Sequence, residues 1–265
     1  MGAQLRWTGE HTAYDDFAER GFTVDRDGSQ IPGLLWSPPY AGRPALPLVL
    51  LGHGGRGSKR HERVARLAQW FAGEMGVAVA AIDAPFHGDR VAVPLSPAAS
   101  QARAVAIGIE TVVDGMVDDW TATVAALAAE GVADPSRLGY VGVSQGTRFG
   151  LPLAARLGAD LRVAVLGKFG LTSTEVLHPG LAMADRLTRD APSVSAPVHF
   201  HIQWDDEVFP RAGQLALFDL IGSADKVLQA YPGLHAETRE GAVATWCRFV
   251  AERLGTSLTE RFKPW

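Results

Sequence analysis

Apolar positions along the chain follow two alternating patterns, one typical of strands and one typical of amphipathic helices. Six short runs predict strands, the first two apolar enough for burial on both sheet faces: LPLVLLGHGG, VAVAAIDAP, RLGYVGV, LRVAVLG, PVHFHIQW and KVLQAYP. Residues 59–76, between the first two predicted strands, are predicted to form a helix. Their apolar residues recur at helical spacing: Val64, Leu67, Ala68 and Phe71. The alternation predicts a mostly parallel, doubly wound sheet with helices on both faces.

The N-terminal part of the chain predicts an antiparallel hairpin ahead of this sheet. Residues 22–25 and 30–36 are β-prone, and they flank Asp27-Gly28, a dipeptide typical of tight hairpin turns. Further helices are predicted over residues 117–131, 144–157 and 236–255.

Two stretches, about 89–113 and 171–194, do not fit the alternation. Loops of that length in a compact domain are usually functional or carry extra helices. No internal repeat or low-complexity linker divides the sequence. We therefore expect residues 1–265 to form a single domain with small lid or cap insertions at these two places.

Composition and charge exclude several classes of function. The chain is 47% hydrophobic and 20% charged, with a formal net charge of −4, and no basic run suggests nucleic-acid binding. The N-terminus lacks the apolar core of a secretory signal, and no apolar stretch approaches the roughly 18 residues of a spanning helix. Cys247 is the only cysteine, which excludes an internal disulfide. We expect a cytoplasmic protein without a nucleic-acid or membrane partner, and leave open whether it forms a homodimer.

A serine flanked by glycines stands at the end of one predicted strand. In GYVGVSQGTRF, residues 139–149, Ser144 lies between Gly142 and Gly146 and precedes a predicted helix. In a nucleophile elbow these two flanking positions must be small, because the turning backbone leaves no room for a Cβ. The context favours Ser144 as a nucleophile over a small residue in an ordinary turn.

A serine nucleophile needs a base to take its proton and an acid to orient that base. Of the eight histidines, His235 is best placed, because it follows the last predicted strand and precedes the final helix. Two carboxylates in QWDDEVFP, Asp205 and Asp206, compete for the orienting role. The order serine, acid, histidine is the one associated with this elbow, and parallel strands would bring all three to one sheet edge.

With these motifs, the chain resembles the α/β-hydrolase superfamily, and within it dienelactone-hydrolase-like proteins and small serine esterases. The resemblance covers nearly the whole chain and implies the α/β-hydrolase fold. DEVFP resembles the segment that often contains the acid in such enzymes, which implies Asp206. HGG, residues 53–55, resembles their oxyanion loop, and implies that the N–H groups of Gly55 and Gln145 form the oxyanion hole.

Other residues near these motifs are interpreted with the same resemblance. His53 fits support of the oxyanion loop better than proton transfer, and His87, in DAPFHG, fits a structural or pocket-lining role better than that of the base. Phe86, Trp204 and Phe209 flank the site at strand ends. They are candidates either for lining an apolar acyl or alcohol pocket or for packing in the core.

The resemblance implies a serine hydrolase that cleaves a small-molecule carboxylic ester through an acyl-enzyme and needs no cofactor. Dienelactone hydrolases themselves use cysteine, so their substrate class does not carry over to Ser144. The fold also hosts acyltransferases, thioesterases, amidases, lyases and non-catalytic small-ligand receptors, which stay open as alternatives. His199 and His201 share one face of a predicted strand, but no third ligand lies at a fitting offset, so we expect no metal site.

Overall fold

The computed structural model describes residues 3–39 and 44–256, which form one nine-stranded sheet covered by seven α-helices. The strands are β1 (Gln4–Ala13), β2 (Ala18–Arg26), β3 (Ser29–Ser37), β4 (Leu46–Leu51), β5 (Ala78–Ile82), β6 (Ala133–Val141), β7 (Leu161–Gly167), β8 (Val198–Gln203) and β9 (Lys226–Tyr231). The helices are α1 (Glu62–Glu74), α2 (Pro97–Ile107), α3 (Ile109–Ala129), α4 (Gln145–Leu157), α5 (Ala184–Asp190), α6 (Arg211–Leu220) and α7 (Glu240–Leu254).

The strands lie in the order β1-β2-β3-β5-β4-β6-β7-β8-β9. The first three are antiparallel, β3 pairs with β5 in the same way, and all pairs from β5 to β9 are parallel. The predicted hairpin is β2–β3, and its turn holds Asp27 and Gly28 at φ 51° and 84°, as a tight hairpin turn requires. The mostly parallel sheet with an antiparallel N-terminal hairpin is confirmed.

Alternate residues of the central strands pack against helices on opposite faces of the sheet. Leu48 and Leu50 of β4 belong to a buried cluster that includes Trp120 of α3. Their neighbours Val49 and Leu51 belong to a second cluster, completed by α1 and α7. The central strands are apolar throughout because both of their faces are covered. None of the helices in the described part of the chain has the length and apolarity needed to cross a membrane.

Two elements were not predicted, because each buries few large apolar side chains. Strand β1 lies at the sheet edge and is mostly exposed, so its sequence, QLRWTGEHTA, lacks a buried face. Helix α6 buries only Gly213, Gln214 and Leu217, while Leu215 is exposed. A helix with one large buried apolar residue shows little periodicity in sequence.

The two stretches outside the alternation contain helices and contact each other. The first holds a 3₁₀ turn (Gly88–Arg90), α2 and the start of α3, which begins eight residues earlier than predicted. The second holds α5 between two further 3₁₀ turns. The N–H of His178 donates to Gln101 Oε1 at 3.2 Å, which joins the second stretch to α2.

His199 and His201 of β8 are buried against α7, where His199 meets Phe249 and His201 meets Trp246. Burial lowers the pKa of His199 to about 4 and that of His201 to about 3. Both rings are therefore neutral in the folded protein at pH 6, which fits a packing role.

We expect these two histidines to make the protein less stable in acid. Between about pH 4 and 6.5 the unfolded chain binds more protons than the folded one at these sites, so the free energy of unfolding rises with pH. A His199→Gln/His201→Gln variant should show a smaller loss of Tm between pH 6.5 and 4 than the parent. Equal losses in the two proteins would contradict the prediction.

Candidate active site

Ser144 lies in a strained turn between β6 and α4. Its φ and ψ are 59° and −122°, a conformation that side chains rarely adopt outside functional sites. Neighbouring strand β7 holds the turn, because Ser144 N–H donates to Gly167 O at 2.9 Å. The hydroxyl of Thr147 also donates to Gly167 O, and it accepts from the N–H of Gly167, each at 2.7 Å.

The glycines around Ser144 are required for two different reasons. A Cβ at Gly146 would lie 3.1 Å from the backbone oxygen of Gly52, which is the backbone crowding predicted for an elbow. A Cβ at Gly142 would instead meet the side chain of Tyr140, 2.6 Å from its hydroxyl. Tyr140 is buried below the turn and donates to Gly146 O at 2.6 Å, while Gly150 also packs against its ring. The ring therefore contributes to the need for glycine.

Three polar side chains from different loops meet at this turn. Ser144 Oγ lies 2.8 Å from His235 Nε2, and His235 Nδ1 lies 2.8 Å from Asp206 Oδ2. Asp206 is buried, and its Oδ1 accepts from the N–H groups of Val208 and Phe209. These two bonds fix the orientation of the carboxylate.

The carboxylates beside Asp206 hold the loop of His235 without touching its ring. Asp205 Oδ2 accepts from the N–H of Gly233 at 3.1 Å, and Glu207 Oε2 accepts from the N–H of His235 at 2.8 Å. Of the two aspartates that compete in sequence, Asp206 is therefore the one beside the imidazole. Lys168 Nζ donates to the carbonyl of Glu237 and anchors the same loop.

Gly55 and Gln145 are neighbours beside Ser144. Gln145 is the first residue of α4, so the helix leaves its N–H without an acceptor. A Cβ on Gly55 would lie 3.4 Å from Gln145 Oε1. Both residues line the same cavity as Ser144, and an oxyanion between them would also benefit from the positive end of the α4 dipole.

Two histidines support the Gly55 loop. His53 Nε2 accepts from the N–H of Ala84 at 2.9 Å, so its Nδ1 carries the proton and donates to Gly54 O. Burial lowers the pKa of His53 to about 4, which keeps the ring neutral. His87 Nε2 lies 3.1 Å from Gly55 O.

A cavity of about 620 Å³ opens above Ser144 and reaches both helical stretches outside the alternation. Phe86, His87 and Phe209 line it. Trp204, the other candidate pocket residue, does not: its side chain is exposed, and the Arg211 guanidinium lies 3.9 Å from its ring centroid. That prediction is wrong because the turn after β8 points Trp204 towards solvent.

Sequence reasoning did not single out the four cations among the described residues that line this cavity, Arg56, Arg63, Arg148 and Lys168. Burial lowers the pKa of Arg148 to about 10, and burial with the nearby Arg63 lowers that of Lys168 to about 7. A lysine directly after the apolar run of β7, and an arginine one turn into α4, were the available signals. In the described residues, no cluster of three or more His, Cys, Asp or Glu could hold a metal ion.

Solved structures that are similar to the chain along most of its length include three esterases. A cold-adapted esterase from an Arctic intertidal metagenomic library is 32% identical, with a TM-score of 0.78, over 94% of this chain and 99% of that one. Two acetyl xylan esterases, from Paenibacillus sp. R4 and Thermoanaerobacterium sp. JW/SL YS485, are 19% and 15% identical, with TM-scores of 0.70 and 0.71. Both alignments cover 95% of this chain and 88% of the other, and they show the shared fold. The chain matches no protein-family model and no curated protein sequence.

Alanine substitutions at two helix glycines should change stability in opposite directions, because Gly150 packs against the ring of Tyr140 and Gly115 does not. An alanine methyl at Gly150 would lie 2.1 Å from the Tyr140 ring, so Gly150→Ala should lower the free energy of unfolding by about 1–3 kcal/mol. A methyl group at Gly115, inside α3, would have no neighbouring atom within 4 Å, so Gly115→Ala should raise it by about 0.5–1 kcal/mol. Denaturant unfolding of the two variants checks the difference, and effects of the same sign would contradict it.

Proposed function

Because the chain belongs to the α/β-hydrolase superfamily, we propose that it is a serine carboxylesterase with Ser144, His235 and Asp206 as its catalytic triad. The observation that carries the proposal is the continuous pair of 2.8 Å contacts from Ser144 Oγ to His235 and from His235 to Asp206. The 32% identity to a cold-adapted esterase supports ester hydrolysis as the reaction. A small-molecule ester is the substrate, and the cavity above Ser144 receives it.

In the acylation step, His235 Nε2 takes the proton of Ser144 as Oγ attacks the ester carbonyl carbon. Asp206 accepts the Nδ1–H of the imidazole, which leaves Nε2 free as the base and stabilises the imidazolium that forms. The developing oxyanion is bound by the N–H groups of Gly55 and Gln145, each donor worth about 3–4 kcal/mol of transition-state stabilisation. His235 then protonates the leaving alcohol, and the acyl group stays on Ser144.

In the deacylation step, His235 removes a proton from a water molecule that attacks the acyl-enzyme carbonyl. The same two N–H groups bind the second oxyanion. Its collapse breaks the bond to Ser144 Oγ, which takes the proton back from His235, and the carboxylic acid leaves. The strained φ of Ser144 keeps Oγ raised above the sheet edge through both steps, so no backbone rearrangement is needed.

Removing the nucleophile tests the proposal directly. Ser144→Ala should lower kcat/KM for 4-nitrophenyl esters by at least about 10³-fold, because no acyl-enzyme can form. The same change should abolish covalent labelling by a fluorophosphonate probe, followed by intact-protein mass. Stoichiometric labelling of Ser144→Ala would refute the assignment of the nucleophile.

Two adjacent aspartates provide a matched pair for the orienting acid. Asp206→Asn should lower kcat by about 10³- to 10⁴-fold, because the amide can hold the imidazole in the wrong tautomer. Asp205→Asn should stay within about tenfold of the parent, because Asp205 contacts the Gly233 backbone and not the ring. Steady-state kinetics on one ester compares the two, and a larger loss for Asp205→Asn would reverse their roles.

A further inference from the structure

Arg148 is a buried cation without a counter-charge. The residue is 6% exposed, and its Nε has no hydrogen-bond acceptor. Within residues 3–39 and 44–256 no ion pair or hydrogen bond from its guanidinium is found. Its guanidinium carbon lies 5.5 Å from the centroid of the Phe169 ring, a cation–π contact.

Such an arrangement is costly for the folded protein unless a ligand satisfies it. An ionised group taken out of water without a partner destabilises the fold, and apolar residues of similar size are usually tolerated better at such places. Most other buried cations of this chain have partners: Lys59 pairs with Asp83, and Lys168 donates to Glu237 O and Thr238 Oγ1. Arg148 differs because it lines the cavity without such a partner.

Arg148 lies close to the reacting centre. It is four residues after Ser144 at the start of α4, and its N–H donates to Ser144 O at 3.1 Å. Both residues line the same cavity. Ring contacts also connect Arg148 with the catalytic histidine. The guanidinium lies over Phe169, Phe169 packs on Phe209, and Phe209 packs on His235. A group bound by Arg148 would belong to the molecule attacked by Ser144.

The rest of the cavity favours negative charge. Arg56, Arg63 and Lys168 also line it, whereas Glu207 is the one carboxylate found among its described lining residues. That carboxylate already accepts from the N–H of His235. Cations in a cavity with low-dielectric walls raise the local concentration of anions and attract them over a distance.

We propose that the substrate is an ester that carries a carboxylate, and that the guanidinium of Arg148 binds this carboxylate while Ser144 attacks the ester carbonyl. The planar fork of a guanidinium matches the two oxygens of a carboxylate in a bidentate pair, which a lysine does not reproduce. This inference rests on the proposed function of Ser144. It makes Arg148 a specificity-determining residue.

Two substrate pairs test the proposal, one for each side of the ester. Mono-4-nitrophenyl adipate is compared with 4-nitrophenyl hexanoate, and 4-carboxyphenyl acetate with 4-carbamoylphenyl acetate. The readout is the ratio of kcat/KM for the anionic ester to that for its neutral partner. Arg148→Met should lower this ratio by about 10- to 100-fold in at least one pair, as expected for a lost charge-assisted hydrogen bond. Arg148→Lys should lower it less.

Arg156→Met is the matched control, because Arg156 lies on the same helix but is exposed and pairs with Asp118. It should leave both ratios unchanged. The Tm of Arg148→Met should equal or exceed that of the parent, since an unpaired buried charge is removed. A lower Tm with both ratios unchanged would show that Arg148 only packs on Phe169, and would overturn the proposal. Arg148→Gln serves as the neutral variant if the methionine variant does not fold.

Binding without turnover separates this proposal from the proposed function. The Ser144→Ala variant, with and without Arg148→Met, is titrated with the two adipate and hexanoate esters by calorimetry. Weaker binding of the adipate ester alone in the double variant supports the carboxylate site, even if the parent hydrolyses no ester. Ser144-dependent hydrolysis with ratios that do not respond to Arg148 supports the esterase and refutes the carboxylate site.

Discussion

The hydrogen bonds between β7 and the Ser144 turn are the interaction on which the rest of the site depends. Gly167 binds both the N–H of Ser144 and the hydroxyl of Thr147, so the strained turn is fixed to its neighbour from two sides. Gly167 itself sits at φ 134°, where a Cβ would lie 2.1 Å from the oxygen of His201. The β7–β8 packing therefore sets the height at which Oγ stands above the sheet edge.

Strain and unpaired charge are concentrated around one cavity. Of the four non-glycine residues with positive φ in the described part of the chain, Phe86, Ser144 and Lys168 line it, and Asp27 is in a hairpin turn. The unpaired guanidinium of Arg148 lies there too. Elsewhere the two apolar clusters on the sheet faces are closely packed and stabilise the fold. Such strain persists only where the surrounding structure compensates for it, and it is typical of functional sites.

The strands, the elbow glycines and the order of serine, acid and histidine were predictable because each leaves a local pattern in the sequence. Other features have no such pattern. The turn after β8 points the side chain of Asp206 towards His235 and that of Asp205 towards the backbone of Gly233. The same turn points Trp204 towards solvent. The edge strand β1 and helix α6 bury too little to show periodicity. Arg148 became informative only when its burial and missing partner were known.

The proposed mechanism requires that Ser144 Oγ attack a carbonyl whose oxygen is bound by the N–H groups of Gly55 and Gln145. A crystal structure of the protein after reaction with a fluorophosphonate tests it most directly. Phosphorus should be bonded to Ser144 Oγ, with the phosphoryl oxygen about 2.7–3.1 Å from both backbone nitrogens. Phosphorus on another residue, or a phosphoryl oxygen turned away from Gly55 and Gln145, would contradict it.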